Sequence, residues 1–327
     1  MKTIYTSKNY LDIWAKYDKV TPLELSFEVN NAIFEIKLLY KKIPGSMEFY
    51  EAYSPYGYGG PILVDGDKSI KFPRKKFFEE LKKIGIIDVF IRFSPFLNNH
   101  KYFPERLLEL NRKTVSRELS NTSQQELLKS FNKGTKWAIK KSIKEYVLVN
   151  KIKGGEVKDE EIDKFYNLYI RNMEYIGADQ YYLFTKECIK DHFSLLGNNV
   201  DLLYSVYNDK WIAAAIFLRD QEICHYHLSC SDNNYSKLYP VDRLLFEAIY
   251  SYGVEGKKFL HLGGGLSLSE EDSLFKFKLK YGKSINQFFI SKVILNKKIY
   301  DKLREKNKVE NSKYFLINDA IKREGLD

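Results

Sequence analysis

His261-Leu262-Gly263-Gly264-Gly265 closes an apolar run, and Asp-Ser-Leu-Phe-Lys-Phe-Lys-Leu-Lys-Tyr-Gly follows it from Asp272 to Gly282. Three consecutive glycines weaken a strand end, and they are justified where a ligand or another backbone must come close, because glycine tolerates positive φ and adds no side chain. The pattern therefore describes a strand opening onto a backbone-lined pocket, with a lysine-bearing amphipathic segment behind it. An ammonium held there, on Lys278, supplies charge where a carbonyl oxygen turns negative in acyl transfer, and preorganised charge of that kind is usually the largest catalytic contribution. Lys276, Lys278 and Lys280 also alternate with Phe275, Phe277 and Leu279. That alternation equally describes an amphipathic strand with a solvated lysine face, so pattern alone leaves both readings open.

Three further groups could do chemistry. In His225-Tyr226-His227-Leu228-Ser229-Cys230-Ser231 the two histidines share one strand face, and Tyr226 shares the other with Cys224 and Leu228. With His261 they could form a three-histidine metal site, but no carboxylate or cysteine stands at ligand spacing, and structural histidines are the expectation for at least two of them. The loop Tyr56-Gly57-Tyr58-Gly59-Gly60-Pro61 combines glycine amides that suit an anion with aromatic faces that suit a sugar or base. A tight turn between strand and helix is its other reading. Lysines 129, 133, 136, 140 and 144 form a stripe along one face of an expected long helix, with no Asp or Glu from Leu127 to Lys144. Such a face is either solvated or relieved of its like-charge repulsion by a phosphate-bearing ligand, with Lys136 and Lys140 as its representatives. No Ser-His-Asp or Cys-His arrangement stands out, which suits direct attack without a covalent enzyme intermediate.

The elements that must carry these groups read as two α/β passages. The first has a helix at Tyr10 to Asp18 and a hairpin of Leu23 to Val29 with Ala32 to Tyr40 across Asn30-Asn31. Then come a strand Glu48 to Tyr53, a helix Lys75 to Lys83, strands Ile86 to Phe93 and Thr114 to Leu119, and a long helix from Thr122 with a Ser123/Glu126 capping box. In the second, helices Asp159 to Ile176 and Thr185 to Leu196 precede strands Val200 to Tyr207, Trp211 to Leu218 and Glu222 to Leu228. A helix Val241 to Gly253, a strand Lys258 to Leu262, a helix from Asp272, a strand Ile285 to Ile294 and a helix from Lys298 complete it.

The chain has 327 residues, 44% hydrophobic and 15% aromatic, which excludes a disordered protein. No apolar run approaches the roughly 20 residues of a membrane-spanning helix, and the start of the chain lacks a signal-peptide pattern, so a cytoplasmic protein is expected. Three cysteines without metal-type spacing fit unpaired thiols. A net charge of +10 favours polyanionic partners: phosphates, nucleic acid or an anionic membrane face.

Taken in order, Tyr56 to Ile62, the HYHLS segment from His225, the HLGGG segment from His261 and Phe277-Lys278 with Tyr281-Gly282 resemble the Fem family, whose members add amino acids to peptidoglycan precursors. The resemblance spans Ser54 to Gly282. It implies an α/β (α+β) fold of two tandem GNAT-like domains, each a mixed, largely antiparallel sheet flanked by helices. Residues 1–152 would bind the acceptor and residues 153–327 would carry the HYHLS, HLGGG and FKxxYG motifs. It favours Lys278 as the catalytic residue, near the reacting carbonyl, with Tyr56, Tyr58, Gly59, Gly60, Tyr226, His227, Gly264 and Lys276 binding substrate, to which the lysine stripe adds Lys136 and Lys140. Cys230 stands where the family usually has glycine, and the charged helical arm of some members has no counterpart.

The implied function is transfer of an aminoacyl or other acyl group to an amine of a cell-wall or surface-polysaccharide precursor. The donor would be aminoacyl-tRNA or acyl-coenzyme A, with no tightly bound cofactor and no metal. The expected partners are a lipid-linked or nucleotide-linked glycan precursor, tRNA and peripherally the membrane, but not DNA. The alternatives are a coenzyme A-dependent N-acyltransferase acting on an amino sugar, against which the lack of a convincing pyrophosphate-binding glycine loop speaks, and a non-catalytic RNA- or glycan-binding module.

Overall fold

A computed structural model describes residues 3–326. The chain forms two compact units, residues 1–111 with 287–327, and residues 112–286. This division differs from the expected cut between 152 and 153.

The first unit opens with α1 (Lys8–Asp18), capped by Ser7, and the hairpin β1 (Thr21–Val29) and β2 (Ala32–Lys42). Asn30 and Asn31 both adopt positive φ, 48° and 61°, the backbone that a two-residue hairpin turn with native twist requires. β3 (Tyr50–Tyr53), β4 (Ile62–Asp65), α2 (Arg74–Lys83) and β5 (Ile86–Arg92) follow.

The second unit contains β6 (Glu109–Glu118), α3 (Gln124–Lys129), α4 (Lys133–Lys144), β7 (Leu148–Lys153), α5 (Asp159–Tyr175) and α6 (Lys186–Leu196). It continues through β8 (Val200–Tyr207), β9 (Lys210–Arg219), β10 (Ile223–Ser231), α7 (Pro240–Val254), β11 (Phe259–Gly264) and α8 (Ser273–Leu279). β12 (Ser284–Ile294) then leads back to the first unit, which α9 (Lys297–Lys306) and α10 (Ile317–Glu324) complete.

In the first unit the strands run β1-β2-β3-β5-β12, with β4 beside β2. All pairs in that path are antiparallel except β3–β5, which α2 connects. In the second the order is β6-β11-β10-β9-β8-β7, and the one parallel pair, β10–β11, is connected by α7. Each unit is thus a mixed, largely antiparallel sheet flanked by helices, as expected. Parallel neighbours need such a crossover, and ligands of open α/β sheets sit beyond the carboxyl ends of the strands it joins. β9 is buried from Ile212 to Leu218 because α5 packs against it as well as α7, so its sequence reads as a continuous apolar run instead of alternating.

Two differences from the sequence reading have local causes. The long helix from Thr122 is two helices: the Ser123/Glu126 capping box forms, but Ser130 ends α3 and the Asn132 side chain accepts the Thr135 N–H at 2.8 Å to start α4. Asn at such a position competes with helix continuation by capping. Lys129 therefore lies on a different helix from Lys136, Lys140 and Lys144, and the five-lysine stripe on one helix is corrected to a shorter one on α4. The strands β4 and β7 and the helix α10 were not expected, each being short. The segment from Asp272 is helical, which removes the amphipathic-strand alternative. No helix among the described residues is long and apolar enough to cross a membrane.

Candidate active site

Lys278 is fixed by the local fold on both sides. Asp272 caps α8 by accepting the Phe275 N–H at 2.9 Å, and its other oxygen accepts the Leu266 and Ser267 N–H groups at 2.7 and 2.9 Å. Those bonds hold its carboxyl below the usual carboxylate range. One helical turn on, Phe275 packs into the core while Lys278 lies with its side chain buried, 9% exposed. Its Nζ donates to the Gly264 carbonyl at 2.6 Å. Gly263 has φ +74°, which lets the strand end turn, and a Cβ there would stand 3.2 Å from Nζ. Close approach explains the three glycines: Gly263 turns the chain beside Nζ, a Cβ at Gly264 would stand 2.8 Å from both Arg112 Cδ and the Lys113 carbonyl oxygen, and at Gly265 a Cβ would collide with Asp272 at 2.5 Å.

Burial lowers the Lys278 pKa from 10.5 to about 7, with the Arg112 charge acting the same way and Asp272 opposing it. An ammonium in low dielectric loses hydration that one carbonyl does not replace. Near neutral pH the group is therefore divided between its charged and neutral forms, the condition that suits a proton-handling residue. His261, beside it on β11, is held well below its ordinary value by burial and then by the His225 and Lys278 charges.

A cavity of about 410 Å³ opens onto Lys278, lined also by Tyr226, His227, Cys230, Tyr239, Asp242 and Phe277. A register shift between Tyr226 and Leu228 marks a β-bulge in β10. Bulges re-aim side chains, and here the consecutive residues Tyr226 and His227 both reach the cavity. The expected sharing of one face by His225 and His227 is thereby corrected. His225 instead meets His261, Nδ1 to Nδ1 at 3.2 Å, and Asp220 at 3.0 Å, while the His227 ring packs against His192 at 5.3 Å. Among the described residues no group of three or more His, Cys, Asp or Glu could hold a metal ion. Cys230 is buried with its thiol pKa pushed up by desolvation, which makes it a poor nucleophile.

Sequence reasoning missed Asp242. It lies in the first turn of α7, lines the cavity, and accepts a short hydrogen bond from the Tyr281 hydroxyl. Burial raises its carboxyl pKa, the Tyr281 bond acting against this. Only its place two residues after Pro240, a helix-starting residue, is visible in the sequence.

The remaining expected residues are distributed as follows. Gly264 meets Lys278 directly. Lys276 lies exposed on α8 in an ion pair with Glu271 and is not among the cavity residues. Lys136 and Lys140 are on α4, likewise outside the lining, although α4 carries the exposed Trp137, whose ring meets the cavity residue Tyr239 edge-on at 5.2 Å. Lys141 Nζ sits 5.3 and 5.5 Å from those two rings. Tyr56, Tyr58, Gly59 and Gly60 belong to the first unit. There the Gly59 N–H donates to the Arg92 carbonyl at 2.7 Å, and Asn99 Nδ2 donates to the Gly59 and Pro61 carbonyls at 2.7 and 3.1 Å. Tyr56 packs on Trp14, and Tyr58 on Tyr5 and Phe288.

Known structures share this architecture. FemX superposes with a TM-score of 0.70 at 12% identity, covering 91% of this chain and 94% of that one. The C-terminal domain of a candidate lysylphosphatidylglycerol synthetase from Agrobacterium fabrum gives 0.56 at 13%, covering 89% and 88%. L-PGS from Bacillus licheniformis gives 0.55 at 12%, covering 91% and 95%. The fold expected from the Fem resemblance is the fold found. No protein-family model and no curated protein matches the sequence.

Proposed function

We propose that the protein is an acyltransferase that moves an aminoacyl group from an activated ester, aminoacyl-tRNA, to an amine of a phosphate-bearing cell-wall or surface-glycan precursor. The observation that carries this reading is the buried Lys278, whose Nζ is bonded to the Gly264 carbonyl of the glycine-ended strand and whose residue lines a 410 Å³ cavity. The FemX fold and the four motifs support it.

In this mechanism the ester carbonyl lies beside Lys278. The acceptor nitrogen attacks the carbonyl carbon, and the ammonium form of Lys278 stabilises the oxyanion in a water-poor site, where charge is worth most. Asp242 takes the proton that the nitrogen sheds. Collapse of the tetrahedral species breaks the ester C–O bond, and the leaving ribose oxygen receives a proton from Lys278, which recovers one through water from Asp242. Tyr226, His227 and Phe277 wall the ester, and Lys136 and Lys140 meet the RNA backbone. Tyr56, Tyr58, Gly59 and Gly60 contribute to acceptor binding in the first unit, and Lys276 guides anionic substrate from the surface.

Asp242 also favours an RNA ester over acyl-coenzyme A. Coenzyme A enzymes set a pyrophosphate at a helix start, and α7 presents a carboxylate in its first turn, which repels that anion. The test is transfer of a radiolabelled amino acid from charged tRNA to amino-sugar or peptide-amine acceptors, run beside radiolabelled acyl-coenzyme A. Transfer from charged tRNA supports the reading. Transfer from coenzyme A alone contradicts it.

A further inference from the structure

The second unit uses the start of its crossover helix, α7, as a cavity wall. The corresponding helix of the first unit, α2, also starts at a cavity, of about 580 Å³, and its lining has the opposite electrostatic character. Lys71, Arg74, Lys75, Lys76 and Lys101 surround it, with Phe72, Tyr102 and Phe103 as its apolar floor. No carboxylate lines it, and none of the five cations is in an ion pair among the described residues.

Three of these cations, Arg74, Lys75 and Lys76, occupy the first turn of α2, which contains no acidic residue. Positive side chains at the positive end of a helix oppose its dipole and one another, so the cluster costs stability when nothing anionic sits in it. The Pro73 cap offers no side-chain acceptor, and the Lys75 and Lys76 amides have no carbonyl partner among the described residues. Arg74 is nevertheless held in place, its Nη1 donating to the Tyr102 carbonyl at 3.3 Å. The floor is rigid as well: Phe72 stacks on Phe103 with ring centres 6.2 Å apart, and Tyr102 meets Phe34 edge-on at 5.3 Å. A fixed guanidinium, four exposed ammonium-bearing side chains and an apolar floor are what a phosphate ester with an organic substituent needs.

We infer that the cavity between Lys71–Lys76 and Lys101–Pro104 binds a phosphate or pyrophosphate ester, at a site separate from the Lys278 cavity. This inference rests on the first unit alone and does not depend on the acyl-transfer reading. Two sources share this chemistry, a soluble nucleotide-type pyrophosphate and the headgroup of an anionic lipid.

Calorimetric titration of the full-length chain with inorganic pyrophosphate, and co-sedimentation with phosphatidylglycerol or phosphatidylcholine vesicles, separate them. The test variant combines Lys71→Gln, Lys75→Gln and Lys101→Gln, all exposed positions. A second variant makes the same charge change at Lys153, Lys158 and Lys210 of the other unit. The expected result is pyrophosphate binding that weakens at least tenfold in the first variant and less than twofold in the second, and that weakens further with salt. Parallel loss of phosphatidylglycerol binding identifies the headgroup as the source, and retention of vesicle binding identifies a soluble ester. No binding to the wild-type chain, equal weakening in both variants, or binding of an RNA duplex with pyrophosphate and vesicles ignored overturns the inference.

Discussion

Replacing Lys278 by Met should stabilise the protein while removing its activity, and the pH dependence of the gain identifies its cause. Burial takes the Lys278 pKa from 10.5 to about 7. At about 1.4 kcal/mol per tenfold, the folded chain then carries an ammonium that costs roughly 5 kcal/mol, and roughly 3 kcal/mol is a conservative figure once water entry is allowed for. The folded pKa is lowered, so between pH 7 and 10.5 the unfolded chain binds more protons than the folded one. The penalty is therefore full below about pH 7 and fades as the pH rises towards 10.5. Met has similar volume, no charge and a flexible thioether, so it fills the same space. Guanidinium unfolding of the wild type and Lys278→Met at pH 6, 8 and 10 should show the variant more stable by roughly 3–5 kcal/mol at pH 6. The difference should fall to within about 1 kcal/mol at pH 10, where only the hydrogen bond to Gly264 distinguishes them. Taking the difference removes every other titrating group common to both proteins. A gain independent of pH, or a loss at pH 6, would refute the assignment of Lys278 as a desolvated ammonium.

Gly263→Ala places a Cβ at φ +74° and 3.2 Å from Nζ, so it should cost about 1–2 kcal/mol and lower kcat, measured by denaturant unfolding and steady-state kinetics. Asp272→Ala removes the α8 cap and two further amide bonds. It should lose about 1–2 kcal/mol and lower kcat more than it raises KM, because Lys278 is displaced and the cavity is not. His192 is fully buried with its pKa lowered from 6.5 to about 4 by desolvation. On acidification the unfolded chain binds this proton first, so about 3 kcal/mol should be lost between pH 6.5 and 4. His192→Gln should lessen that slope, and an unchanged slope would show that other groups govern acid unfolding.

The sequence carried the fold through signals that act locally. Asn30-Asn31 marked a hairpin because few other residues accept two positive φ angles, and Asp272 marked the start of α8 because its carboxylate can cap. The glycines after His261 announced a close approach, and the structure identifies the partners as Lys278, Arg112 and Asp272. Features created by pairing were not legible. The bulge at Tyr226–Leu228 depends on the neighbouring strand, so an alternation drawn along β10 put His227 on the wrong face. Asp242 meets Tyr281 across 39 residues, and neither position signals the other. The lysine stripe was misjudged for a related reason. Its spacing fits one helix, but the Asn132 cap, a local signal overlooked in a favourable periodicity, breaks it. The division into units was hidden because β12 returns the chain to the first sheet, where Ile290–Ile294 pair with β5, and sequence order alone does not reveal that return.

In the proposed reaction the Lys278 ammonium acts in the transition state and not in binding. Lys278→Met, folded and assayed with charged tRNA and an amine acceptor, should lose a factor of about 10² to 10³ in kcat, with the Kd for the RNA ester changed less than about threefold. Turnover within a few-fold of the wild type, with the cavity otherwise intact, would contradict the account.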